Sequence, residues 1–136
     1  MIDARIRKTF AARNDSSEFV LDVHIRTAAH ITVLFGPSGA GKSLTLESIA
    51  GFATPDEWRI LVDDVLLFDG ASKLSLTPQE RRSGYVFQSS ALFPHMTLRE
   101  NLDFAAGALP RLERRRAIGA MLDQFHLEDV AGRKPG

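Results

Sequence analysis

The residues best equipped for chemistry form one run, Gly36-Pro37-Ser38-Gly39-Ala40-Gly41-Lys42-Ser43, followed by Leu44. Its spacing is G-x-x-x-x-G-K-[ST], and each residue type in it has a physical reason. Glycines let the backbone fold back so that successive N–H groups point into one concavity. The N-terminus of a following helix adds partial positive charge, so the concavity suits a phosphate. In that arrangement the Lys42 ammonium reaches the β- and γ-phosphates of a nucleotide. The Ser43 hydroxyl is placed to ligate an accompanying Mg²⁺. The amides of residues 38–43 would form the cradle.

Such a loop works only if a strand delivers it and a helix leaves it. Ile31-Thr32-Val33-Leu34-Phe35 is an apolar, partly β-branched run that predicts a short buried strand, and Leu44–Ala50 predicts a helix with Gly51 as its C-cap. Upstream, residues 2–10 alternate loosely and predict a first strand. Glu18–Ile25 predicts a second, antiparallel to it, with Phe19, Leu21, Val23 and Ile25 on one face. His24 falls on the opposite face and reads as a surface histidine, not a ligand.

The chain has 136 residues, 44% of them apolar and 25% charged, enough for a globular domain with its own core. Its net charge of zero gives no overall pull toward nucleic acid or anionic lipid. With no cysteine, disulfides and thiolate metal sites are excluded. No apolar run reaches membrane-spanning length, and the cytoplasm is the expected address.

Beyond Gly51, Arg59–Val62 and Val65–Phe68 flank Asp63-Asp64, and two readings compete. Ile60-Leu61-Val62-Asp63-Asp64 has the apolar-run-then-acid form of a strand whose aspartate holds Mg²⁺ beside a phosphate loop. A small kinase or a GTPase-like enzyme would use Asp63 or Asp64 in that way. The immediate return of the chain is instead the spacing of an antiparallel hairpin. Gly70–Ser75 reads as a loop. Thr77-Pro78-Gln79-Glu80 and Thr97-Leu98-Arg99-Glu100 are capping boxes that open helices, and Tyr85-Val86-Phe87 is strand-like. A last helix after Pro110 places Ile118, Met121, Leu122 and Phe125 at helical spacing as its core face. Arg111, Arg114, Arg115 and Arg116, without interleaved aromatics, read as a solvated face and not a nucleic-acid patch.

At Gln88 the residues become specific. The loop Gly36–Ser43, followed by Tyr85-Val86-Phe87-Gln88 and Leu92-Phe93-Pro94-His95-Met96-Thr97, resembles the ATP-binding subunits of ABC transporters over nearly the whole chain. The resemblance implies an α/β fold, a P-loop NTPase of ABC type with an incomplete core sheet, an antiparallel β-subdomain and the start of a helical subdomain. Residues 1–96 would be the nucleotide-binding core and residues 97–136 the beginning of the helical part. It implies ATP and Mg²⁺ as cofactors, with Gln88 approaching the metal and the attacking water as the catalytic glutamine. An amide that donates and accepts at once suits that task without titrating. Leu92 and Phe93 correspond to the place where a transmembrane permease subunit docks. A second ATPase subunit would complete the site, and the chain would lie on the inner face of the cell membrane.

Leu76–Gln88 is most similar to molybdate importers, although sulfate, iron, polyamine and sugar importers have related segments, which makes molybdate or a related oxyanion the expected solute. Residues 59–69 correspond to the family's antiparallel β-subdomain, which favours the hairpin. The sequence departs from the family where Trp58 replaces a usual glycine, and where Asp64 replaces the glycine of the hairpin turn. Phe10 and Phe19 are the candidates to stack on adenine. The family's signature loop follows a segment like Gly132–Gly136, and its Walker B strand, catalytic glutamate and switch histidine come later still. The expectation is therefore of the first part of a longer protein, inactive in hydrolysis by itself, or of a non-catalytic nucleotide-binding remnant.

Overall fold

Alternation at the N-terminus becomes a hairpin in the computed structural model, which describes residues 1–11, 18–88 and 91–136. Strand β1 (Ile2–Phe10) pairs antiparallel with β2 (Phe19–Thr27), with Ile6 opposite Val23. A side-chain period of two sends Ala4, Ile6, Leu21 and Val23 to an inner face and Asp3, Arg5, Asp22 and His24 to an outer one. Ala4, Ile6 and Leu21 are buried accordingly.

Helix α1 (Lys42–Ala50) ends at Gly51, whose φ of 92° lets its N–H return to the Glu47 carbonyl. The helix lies on the inner face. Leu44 and Ile49 pack against the cluster of Ala4, Ile6, Leu21, Ile60, Leu67 and Phe68.

Strand β3 (Glu57–Val62) pairs with the other edge of β1 and with β4 (Val65–Asp69), antiparallel in both cases. Asp63 and Asp64, at φ 47° and 64°, form the two-residue turn between them. Two positive φ values match the right-handed twist of the strands, and aspartate tolerates the left-handed region better than most residues. This decides between the two readings of Ile60–Asp64. Strand β3 is one arm of an antiparallel hairpin with β4 and pairs with β1 on its other side, and Asp63 accepts from the Met1 amino group. The Mg²⁺-binding alternative for Asp63 or Asp64 is not what the fold builds. Leu74–Ser75, expected in a loop, adds a short edge strand β5, giving the order β2-β1-β3-β4-β5.

A second difference concerns the strand expected to deliver the loop. Ile31–Phe35 forms no strand, and Ile31, Val33 and Phe35 are 83%, 80% and 100% exposed. Tyr85–Phe87 forms none either. The physical reason is pairing. A parallel-sheet strand needs hydrogen-bonded neighbours and covering helices, and among the described residues no strand pairs with either segment.

The chain divides into two compact units, residues 1–85 and 86–136. The first also holds helix α2 (Pro78–Arg81), opened by the complete Thr77–Glu80 capping box. In the second, α3 (Leu98–Ala105) starts at the equally complete Thr97–Glu100 box and packs with α4 (Arg111–Gln124). Ile118, Leu122 and Ala131 are its buried centre, with Leu98, Leu102 and Leu127 against them. Met121 and Phe125, expected in that core, are exposed. Ile118 and Leu122, four residues apart, form the contacting stripe; Met121 lies to its flank, and Phe125 stands beyond the last helical residue.

Candidate phosphate-binding site

Gly41 is the pivot of the loop. Its φ of 87° is left-handed, and a Cβ placed there would lie 2.6 Å from Leu21 Cδ1. Glycine is therefore required twice, once for the backbone turn and once for the close approach of loop to sheet. The Ala40 N–H donates to the Pro37 carbonyl at 3.3 Å and tightens the bend before it. Thr45 donates from both its N–H and its hydroxyl to the Gly41 carbonyl, at 2.8 and 2.9 Å, locking the first turn of α1.

Lys42 folds back across the loop. Its Nζ donates to the carbonyls of Gly36 at 2.8 Å and Pro37 at 2.7 Å. The ammonium thus folds onto the main chain at the start of its own loop. No side chain caps the N-terminus of α1, and its first turn carries no acid. Free amide donors, a cation and no opposing carboxylate in that turn make a site for an anion. Ser43 begins the helix beside Lys42, so the donor set contains the hydroxyl that a hard cation accompanying phosphate would take. Phe19 borders the loop, its Cζ 3.6 Å from where a Gly41 Cβ would stand, and its ring centroid is 6.2 Å from that of Phe10.

The structure thus gathers Gly36, Pro37, Ser38, Gly39, Ala40, Gly41, Lys42, Ser43 and Leu44 in one unit. Gln88 belongs to the other, exposed in a bend. Leu92 and Phe93 are partly exposed in that same unit.

Two supporting residues had escaped the sequence reading. Arg81 is buried, and its guanidinium donates to the carbonyls of Ser48 (2.6 Å), Ile49 (2.9 Å) and Leu76 (2.8 Å), satisfying the C-terminal end of α1. Nothing in the polar run Gln79-Glu80-Arg81-Arg82 distinguishes it from its neighbours. Asn101 is also buried. It accepts from the Phe93 N–H at 2.8 Å and donates to the carbonyls of Phe93, Met96 and Thr97. A polar residue between Leu98 and Leu102 on the apolar stripe of α3 was the available signal for it.

The sequence model of the ABC transporter family matches residues 21–136. Similar proteins include the molybdenum import ATP-binding protein ModC of Paramagnetospirillum magneticum, 40% identical over 90% of this chain and 34% of the relative. ModC of Rhodospirillum rubrum is 43% identical over 85% and 31% respectively. The chain therefore spans about a third of the length of the curated relatives it matches. Among solved structures, a dimeric post-hydrolysis state of the ATP-binding cassette MJ0796 bound to ADP and Pi superposes with a TM-score of 0.76. It shares 27% identity, covering 99% of this chain and 62% of that one. No helix among the described residues is long and apolar enough to cross a membrane. This chain belongs to the ABC transporter family.

Proposed function

We propose that the chain binds ATP as part of the ATPase that energises import of an oxyanion, molybdate or a close relative. The observation that carries this reading is Lys42, its ammonium folded onto the main chain of a glycine-built loop at the uncapped start of α1. Lys42 exchanges its two neutral carbonyl acceptors for anionic phosphate oxygens, so that donor and acceptor both carry charge. The amides of residues 38–43 spread the remaining phosphate charge over the loop. Mg²⁺, held in part by Ser43, would neutralise charge on the phosphates and help to orient them. Phe19, beside the loop, and Phe10, its ring neighbour, offer the aromatic surface for adenine. Gln88 serves as the hydrogen-bonding sensor of the γ-phosphate and attacking water, acting when the site closes.

In this reading residues 1–96 carry the nucleotide core, and residues 97–136 belong to the helical subdomain. The likeness to a dimeric cassette supports a second ATPase subunit facing the loop. The partly exposed Leu92 and Phe93, on a segment tied down by Asn101, support a contact with transmembrane permease subunits there. Uptake of labelled molybdate by cells that depend on this gene product tests the proposal. Lys42→Ala should abolish uptake while the protein level is unchanged. Undiminished uptake in that variant contradicts it, and uptake of sulfate in place of molybdate corrects the solute.

A further inference from the structure

The outer face of the five-stranded sheet, opposite the face that carries α1, holds a groove of about 510 Å³. Arg5, Arg26, Arg59, His24 and Trp58 line it together with Asp3 and Asp69. Register explains how three guanidiniums converge. Arg5 stands directly opposite Arg59 on β3 and opposite His24 on β2, and Arg26, opposite Asp3, is the next residue of β2 on that face. Like charges directly across a sheet repel, so the Arg5–Arg59 pair is unfavourable by itself and is only partly relieved by Asp69, which faces Arg59 from β4.

The two acids of the groove offset part of that positive charge, Asp69 facing Arg59 and Asp3 facing Arg26, but both carboxylates are also engaged elsewhere. Asp3 accepts from His24 Nε2 at 3.0 Å, and Asp69 accepts from the Ser72 hydroxyl at 2.5 Å and from the N–H groups of Ser72 and Ala71. The side chains of Arg26 and Arg59 make no hydrogen bond or close salt bridge among the described residues, although both act at longer range on Asp3, and Arg59 on Asp69. Arg5 lies over the indole of Trp58, its Cζ 3.7 Å from the ring centroid. Stacking occupies the flat face of the guanidinium and leaves its N–H edges for a planar or tetrahedral anion.

Trp58 itself sits at φ 77°, a left-handed conformation unfavourable for a bulky side chain. Its register partner is the inward-facing Ile6, yet its ring lines the outer groove beside Arg5 and Arg59. The fold thus spends backbone strain to put an aromatic platform under one of the three arginines.

We infer that this groove is a second anion site, separate from the phosphate loop, in which Arg5, Arg26 and Arg59 together bind a small dianionic oxyanion such as free phosphate. Trp58 is the only tryptophan of the chain, so its emission reports on the groove alone. Inorganic phosphate at pH 8 is titrated into the purified chain against sodium chloride of equal ionic strength. A saturable change in Trp58 emission is expected with phosphate and not with chloride. Arg26→Gln and Arg59→Gln, singly, should each weaken the half-saturation at least threefold, and together at least tenfold, with unchanged circular dichroism. Arg59→Lys should recover only part of the loss, since a point charge replaces a fork. Lys42→Ala should leave the titration as it is. A response that only follows ionic strength, or one equally strong in the double variant, overturns the site. Loss of the response in Lys42→Ala also overturns it, by giving the signal to the phosphate loop.

Discussion

Arg81 donates from Nη1 to the main-chain carbonyl of Ser48 at 2.6 Å, reaching 33 residues back to the last turn of the helix that begins at the phosphate loop. Helix α1 is thereby fixed at both ends. Gly41 seats its start against Leu21, and a buried guanidinium satisfies the carbonyls at its finish. Burial lowers the pKa of Arg81 from its ordinary value, and the group remains charged at neutral pH.

Arg81→Ala removes the partners of three carbonyls, two of them on α1. The expected loss is about 3 kcal/mol, the scale of stranding buried polar groups. Urea melts monitored by circular dichroism measure it. Arg81→Lys should recover less than half, because one ammonium cannot copy a planar fork that serves three acceptors.

Trp58 supports a prediction with a sign. The left-handed backbone costs a non-glycine residue about 1 kcal/mol, and the ring contributes its stacking on Arg5. Trp58→Ala keeps the strain and loses the ring, whereas Trp58→Gly loses both. The glycine variant should therefore be more stable than the alanine variant by about 1 kcal/mol. Thermal melts of the two, side by side, decide it; an alanine variant equal to glycine would mean that the backbone relaxes out of the left-handed region.

The parts legible in the sequence are those written in local chemistry. The loop, both capping boxes, the Gly51 cap and the two-residue turn at Asp63-Asp64 need only neighbours a few residues away. The β1–β2 hairpin was legible from alternation, because one face is wet. Arg81 and Asn101 were not, since their acceptors are fixed by the fold. Ser48 is 33 residues from Arg81, and the Phe93 N–H that Asn101 accepts from lies eight residues back, outside α3. Ile31–Phe35 shows the opposite failure. Its composition is that of a strand, yet a strand exists only as a member of a sheet, and no described strand pairs with it.

Glu80 and Glu100 give a pH dependence. Hydrogen bonds from the Thr77 N–H and hydroxyl lower the Glu80 pKa below its ordinary 4.5, and those from Thr97 do the same for Glu100. A carboxyl lowered on folding stabilises the fold fully above its unfolded value, and that contribution is lost as pH falls through the lowered one. Carboxyl NMR titration should find both groups below 4.5, and Thr97→Ala should return Glu100 toward it. In Glu100→Gln, the part of the acid-induced loss of stability carried by this group should disappear. An unshifted Glu100 in the parent protein would contradict the capping box.

The central claim is that the loop of residues 36–43 is built to hold nucleotide phosphate through Lys42. Calorimetric titration of Mg-ATP into the purified chain and its Lys42→Ala variant measures this directly. Deleting the charge-assisted contacts should weaken binding by roughly 10- to 100-fold. The Asp63→Asn variant, altered in a hairpin turn, should bind like the parent. Equal affinity in Lys42→Ala and the parent, or loss of Mg²⁺-dependent binding in Asp63→Asn, would contradict the account.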